Sequence, residues 1–438
     1  MLERKATSRL LQWKRDKTNQ ALIVTGARQV GKTTLVRNFA KESYSTFAEV
    51  NFYDNMQAVD TVNSAMDAND FLLRISALSR TEFTPGNTLI FLDEVQECGD
   101  ALTWLKFLVE RYDYDFVLSG SLLGLDSFDT RSLPVGFLQE VQMFPLDFEE
   151  FCWAHGVTPS LLEEARNAAS AKSAIPDYLH ALLTEAFYKY LLVGGMPDAV
   201  QAFVTSSNLP AVRNAQQAIL DMYRYDIAKY VDDKIEKRQI RMVFDAIPAQ
   251  LNQTNKRFKY TRLGKNLRFA NLETAFDWLE AAGVAIVTPR ISEPVFSLGA
   301  SEDLNSLKLY TNDVGLLTSQ LAPSVDLDIL NYRSAINFGS IFENVAAQEL
   351  RAHGLIPRYY NTKGIGELDF VLENRTGGIT LCEVKSGKDY QRHRALNKLL
   401  ETKNYRFANA YVFHDGNVTE KGQVTYLPAY CLGLVPMG

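Results

Sequence analysis

The stretch Ala21-Leu22-Ile23-Val24-Thr25-Gly26-Ala27-Arg28-Gln29-Val30-Gly31-Lys32-Thr33-Thr34 decides how the first part of the chain folds. Five apolar or β-branched residues run into a glycine loop, as a buried parallel strand would. Gly26 to Thr33 then fit G-x-x-x-x-G-K-[ST] without a mismatch. Such glycines let backbone N–H groups curl around the β- and γ-phosphates of a nucleotide. In that setting Lys32 supplies a point charge and Thr33 a hydroxyl for Mg²⁺. The helix opening at Lys32 adds its positive dipole end. Gly26, Ala27, Arg28, Gln29, Val30, Gly31, Lys32, Thr33 and Thr34 are therefore the expected binding residues for ATP.

Working outward, Thr88-Leu89-Ile90-Phe91-Leu92 is a second apolar strand. It delivers Asp93 and Glu94 at its C-terminal end. Asp93 is placed to hold Mg²⁺ through water, and Glu94 to polarise the attacking water. A third run ends Leu118-Ser119-Gly120-Ser121, where Ser119 or Ser121 is a candidate γ-phosphate sensor. Nucleotide binding without turnover is the milder alternative. Arg111, Arg131 and Arg224 are candidate arginine fingers, although each such residue is more often a solvated surface arginine. Apolar runs at Phe47–Phe52 and Val141–Phe144, separated by helical patterns, imply right-handed crossovers in a parallel sheet with helices on both faces. The expected fold class is α/β of the P-loop NTPase type.

The chain has 438 residues, too many for one core. The division expected is an ATPase domain over 1–155, a helical and winged-helix-like domain over 156–325, and a small mixed α/β domain over 326–438. The winged-helix reading rests on a helix, Leu272–Ala282, followed by a hairpin of Val284–Thr288 and Val295–Leu298. The net charge of −6 excludes a basic nucleic-acid coat, so any such surface must be a local patch. The four cysteines are scattered without a C-x-x-C pair, which speaks against zinc and disulfides and for a reducing interior. With no apolar leader and no run of about 18 apolar residues, a cytoplasmic protein without a membrane partner is expected.

These motifs resemble the AAA+-like ATPases that carry a C-terminal DUF4143 domain. The resemblance rests on GARQVGKTTL, on LIFLDEVQ, and on Leu133-Pro134-Val135-Gly136 leading to Phe144-Pro145-Leu146-Asp147-Phe148-Glu149-Glu150-Phe151. It also rests on Gly194-Gly195-Met196-Pro197, Lys308 to Leu316, and Phe342-Glu343-Asn344. Where the family has Lys or Arg after Pro-Val-Gly, this chain has Phe137. A basic contact there is lost or passes to Arg131. ATPases of this shape share sites between subunits, so a homo-oligomer is an expectation of the resemblance.

Two further patterns concern the last parts of the chain. Gly366–Leu372 and Thr380–Lys385 read as neighbouring strands carrying Asp369, Glu383 and Lys385 to one edge. Glu383 and Lys385 share a face. The arrangement looks like a PD-(D/E)xK nuclease, giving a restriction-endonuclease-like domain. There two acids hold Mg²⁺ and the lysine positions or activates water. Glu343 looks like that family's additional acid, and Gln391 or His393 a residue facing phosphate. The plain alternative makes Glu383 and Lys385 structural partners and Asp369 an edge charge. Lys256, Arg257, Lys259, Arg262, Lys265 and Arg268 form a basic run interleaved with Phe258 and Tyr260. It suits DNA phosphates, or is a solvated face with Phe258 and Leu263 turned to the core. The expectation that follows is an ATPase coupling nucleotide state to a nuclease-like, DNA-associated domain. Its rivals are a nucleotide switch for a protein partner and a nucleic-acid binder that uses ATP only for assembly.

Overall fold

The computed structural model describes residues 2–120, 136–253, 255–331, 338–374 and 376–435. Ser121, Arg131 and Leu133-Pro134-Val135 lie outside the described residues. The chain divides into two compact units, one of residues 3–144 with 281–283, the other of 145–280 with 284–438.

Among the described residues the first unit is built on five parallel strands: β1 (Ala21–Thr25), β2 (Thr46–Asn51), β3 (Thr88–Asp93), β4 (Asp115–Gly120) and β5 (Leu138–Gln142). Their order across the sheet is β2-β3-β4-β1-β5. Every residue of β1 and β3 is buried, which a parallel sheet permits only when both faces are covered. Ile23, Val50, Ile90, Leu92, Phe116 and Leu118 pack with the helices Met56–Asn63, Ala68–Ser79 and Asp100–Arg111. The helix Lys32–Ser43 also packs on β3 and β4. Because β4 sits between β1 and β3, the strand ending at Ser119-Gly120 separates the phosphate loop from the acid strand. All three end at one edge of the sheet.

The second unit holds long helices, among them Asp177–Val193, Leu209–Tyr230 and Lys234–Leu251. Among the described residues it also holds eight strands: β6 (Ala285–Ile291), β7 (Glu302–Thr311), β8 (Arg358–Thr362), β9 (Gly366–Glu373), β10 (Ile379–Val384), β11 (Asn409–His414), β12 (Thr419–Lys421) and β13 (Val424–Pro428). They form one mixed sheet in the order β12-β13-β11-β10-β9-β8-β6-β7. The expected hairpin exists, with its second strand displaced. Val295–Leu298 is not extended. Pro294 lacks a ladder donor and Ser297 adopts a left-handed conformation (φ 65°), so pairing resumes only at Glu302. The hairpin joins the C-terminal strands, since β6 runs parallel to β8 through Arg290↔Tyr359 and Ile291↔Tyr360. One sheet thus runs across the position 325/326.

Three of the quoted motifs meet inside this unit. The Asp313 carboxylate accepts from Gly195 N (2.6 Å) and Leu316 N (2.9 Å). Asn344 Oδ1 accepts from Thr311 N (2.9 Å), and Gln348 Oε1 from Val314 N (2.8 Å). Gly195 has to be glycine, because a Cβ there would lie 1.9 Å from the Leu146 oxygen. Buried backbone groups in these turns need side-chain partners, which explains why such short polar motifs recur among apolar residues.

Candidate functional site

At the end of β1 the chain turns through Gly26 at φ 140°, with the Met143 oxygen 2.2 Å from where a Cβ would stand. Gly31 (φ 93°) is the N-cap of the helix Lys32–Ser43. Lys32 Nζ donates to the carbonyl oxygens of Gly26 and Ala27, both at 3.0 Å, so its ammonium lies within the loop it closes. Thr33 Oγ1 lies 3.0 and 3.2 Å from the two oxygens of Asp93. Ser119 donates to Asp93 Oδ1, and its hydroxyl accepts from Glu94 N (3.1 Å). The register explains the meeting, for Val24 pairs with Ser119 and Leu92 with Leu118.

Sequence reasoning missed Asn51, whose Nδ2 donates to Asp93 Oδ2 at 2.8 Å. Its signal was available, as β2 ends at the same sheet edge and Asn51 pairs with Asp93. Also missed was Gln96, whose amide donates to the Glu94 carboxylate. Glu94 itself has φ 54°, a costly conformation for a side chain with a Cβ and one found at functional sites. Burial raises the Asp93 carboxyl above its ordinary value; the Ser119 hydroxyl pulls it back and Glu94 adds to the rise. A divalent cation would reverse that balance. A loop that only glycine can enter, a lysine resting on neutral carbonyls, and a hydroxyl–carboxylate pair together fit a magnesium nucleotide. Of the other finger candidates, Arg224 is committed to Asp221 and Asp245 and lies over the Phe244 ring. Arg111 lies over Phe107.

In the second unit Asp369, Glu383 and Lys385 do come together. They line a cleft of about 430 Å³ with Lys256, Glu343 and Glu367. β9 and β10 run antiparallel with Phe370 opposite Cys382, which sets Asp369 beside Glu383. Asp369 Oδ2 accepts from Val384 N at 3.0 Å, and Lys385 Nζ lies 2.6 Å from Glu383 Oε1. Among the described residues Glu383 Oε2 has no hydrogen-bond donor. Burial and then Asp369 push the Glu383 carboxyl up to about 8. Burial and then Glu343 push Asp369 up to about 6.

The residue that sequence reasoning did not foresee here is Lys308. It is 0 % exposed, and its Nζ lies 3.1 Å from Glu343 Oε2, 2.9 Å from Glu367 Oε1 and 3.5 Å from Asp369 Oδ1. Tyr310 donates to the same Glu343 oxygen at 2.9 Å, while Lys256 pairs with Glu343 Oε1. Although burial opposes its charge, Lys308 and then Lys256 hold the Glu343 carboxyl down at about 2. The signal was a lone lysine in the apolar run Leu307-Lys308-Leu309-Tyr310, with Lys308 and Tyr310 on one face of the strand.

The basic run divides. Lys256 turns into the cleft, and Phe258 joins Tyr260, Phe269 and Phe276 in an aromatic cluster. Lys259, Arg262, Lys265 and Arg268 are exposed, and Arg257 is half-buried. His393 is buried against the Tyr426 hydroxyl (2.7 Å), while Gln391 is exposed.

Comparison with known proteins marks three segments of the chain. An AAA domain family matches residues 18–152, a domain of unknown function (DUF8612) residues 184–325, and DUF4143 residues 338–432. The chain therefore carries an AAA-type P-loop ATPase domain and a DUF4143 domain. No curated protein matches it. Among solved structures it is similar to the Walker-type ATPase PABY2304 of Pyrococcus abyssi, at 14 % identity over 73 % of this chain and 96 % of that one, TM-score 0.43. It is also similar to AMPPCP-bound DnaA of Aquifex aeolicus, at 12 % identity over 64 % and 89 %, TM-score 0.30. A third is the ORC1 protein of Aeropyrum pernix in complex with DNA, at 11 % identity over 73 % and 92 %, TM-score 0.29. Among the described residues no helix is long and apolar enough to cross a membrane.

Proposed function

We propose that the chain hydrolyses ATP with Mg²⁺ in its first unit and uses the nucleotide state to control DNA held by the second. The observation that carries the reading is the meeting of Lys32, Thr33, Asp93 and Ser119 at one sheet edge. Residues 26–34 cradle the phosphates. Thr33 and Asp93 would hold the metal, whose chemistry there would be neutralisation of charge on the phosphoryl group. Ser119 bridges Asp93 to the backbone of Glu94, so a change at the γ-phosphate is felt by the residue that orients water. Binding and hydrolysis would order and release the surrounding loops.

The DNA half rests on Lys259, Arg262, Lys265 and Arg268, exposed on one segment of the second unit, and on a cleft whose Asp369, Glu383 and Lys385 have a nuclease-like arrangement. Glu343 belongs to the same cleft. The test is ATP turnover by the wild type and Lys32→Ala, with and without duplex and single-stranded DNA, followed by a gel for cuts. Turnover raised by DNA and abolished in Lys32→Ala supports the reading. Turnover indifferent to DNA, with no DNA affinity at low salt, overturns its DNA half and leaves a nucleotide switch for a protein partner.

A further inference from the structure

The acids of the second unit's cleft invite a divalent ion, and the side chains around them answer that invitation from within the chain. Lys308 projects from the buried second half of β7 into the space between Glu343, Glu367 and Asp369. An ammonium has three N–H donors and no acceptor, and three carboxylates lie within ion-pair distance of this one. Glu343 is spoken for on both oxygens, Oε1 by Lys256 and Oε2 by Lys308 and Tyr310. Asp369 is likewise engaged twice, Oδ1 facing Lys308 and Oδ2 accepting from Val384 N. A Mg²⁺ ligated by Asp369 Oδ1 at about 2.1 Å would lie within about 6 Å of the Lys308 ammonium, which stands 3.5 Å from the same oxygen, so the two positive charges would repel where burial weakens screening. Arg or Lys never offers a lone pair while charged, so Lys308 cannot join such a shell as a ligand.

We propose that Lys308 is the resident cation of this cleft, standing where a nuclease-like site would place its metal, so that the cleft binds no divalent ion and cuts no phosphodiester by a metal-dependent route. The inference rests on reading the cleft as nuclease-like. It assigns Lys308 a positioning role. The lysine holds the carboxylates of Glu343, Glu367 and Asp369 turned inward, and leaves the mouth near Lys385 and Ser386 for a ligand that needs no metal. Two independent parts of the sequence supply this neutralisation, Lys308 from β7 and Lys256 from the segment after the helix Lys234–Leu251.

The test measures thermal melting and Mn²⁺ paramagnetic resonance of the full chain without nucleotide, in a Thr33→Ala background that weakens the first unit's metal site. Expected are no Mn²⁺ stabilisation that depends on Asp369, a lower melting temperature in Lys308→Met, and recovery of that loss by Mn²⁺. The gain in Mn²⁺ affinity should be about tenfold or more, and should vanish in Lys308→Met/Asp369→Asn. If Lys308→Met fails to fold, Lys308→Met/Glu367→Gln conserves the cluster's net charge and carries the same expectation. Mn²⁺ binding by the Lys308-containing protein that Asp369→Asn removes would overturn the inference while sustaining the nuclease-like reading. A folded Lys308→Met that gains no Mn²⁺ would overturn both.

Discussion

Each unit of the molecule buries a lysine at its most polar point, and the partners of the two lysines differ. Lys32 rests on two neutral carbonyls of its own loop. Lys308 is held by three carboxylates. A phosphate outcompetes carbonyl oxygens for an ammonium, because a charged acceptor makes the stronger bond. It does not outcompete carboxylates that are already in place and already desolvated. The lesson is that a buried cation marks a binding site only when its present partners are weaker than the ligand it would take.

That contrast can be broken most sharply at Lys32. Lys32→Ala is expected to lower ATP turnover by about 10²-fold or more, while costing less stability than the loss of a cation held by three buried carboxylates. Paired turnover and melting curves check it, and a large loss of stability would erase the contrast. The reverse is expected at Lys308. Lys308→Met should destabilise the second unit by about 3–5 kcal/mol, the cost of stranding buried acids, with ATP turnover of the first unit nearly unchanged. Denaturant unfolding reads the first figure and a phosphate-release assay the second.

A pH series sharpens the comparison further. Asp369 and Glu383 titrate above ordinary carboxylates, at about 6 and about 8. The folded state therefore holds protons that the unfolded chain has released, and stability falls as pH rises from about 4 to 8. Melting temperature should decline from pH 5 to pH 8 in the wild type and decline less in Glu383→Gln, which keeps the shape without the charge. A rise over that range in the wild type would contradict the buried, neutral form of the pair. The smallest effects belong to the exposed basic segment. Lys259→Ala and Arg262→Ala should each reduce the salt dependence of DNA affinity by about one unit of slope, and change stability by no more than about 0.5 kcal/mol.

The sequence made the first site legible because its chemistry is contiguous. Strand, loop and helix start fall within 21–34, and Asp93-Glu94 end a single apolar run. Asn51 escaped notice because only the sheet register brings it to Asp93. In the second unit Asp369 and Glu383 were legible from two neighbouring apolar runs, and Glu343 from the resemblance alone. Lys308 was not, since pairing a lysine with Glu343, Glu367 and Asp369 requires knowing that β7 joins the same sheet as β9. The second hairpin strand was misplaced for a local reason, as Val295 and Leu298 are apolar yet follow Pro294 and flank a left-handed Ser297. The meeting of Asp313 with Gly195 was hidden too, because it joins residues more than a hundred positions apart.

The sheet of the second unit has a practical consequence. Its strands β6 and β7 fall inside the segment matched by one family and the remaining six inside the segment matched by another. The join between them is a seam of two residue pairs, Arg290 with Tyr359 and Ile291 with Tyr360. A fragment beginning at residue 338 would bare the open side of β8 and invite strand-to-strand aggregation between copies. It would also remove Lys308 and Lys256, leaving Glu343 and Asp369 without their counter-charges. Such a fragment would be a different chemical object from the cleft in the intact chain. Metal binding seen in it would report the surgery, and dissection of this half of the molecule belongs to single substitutions.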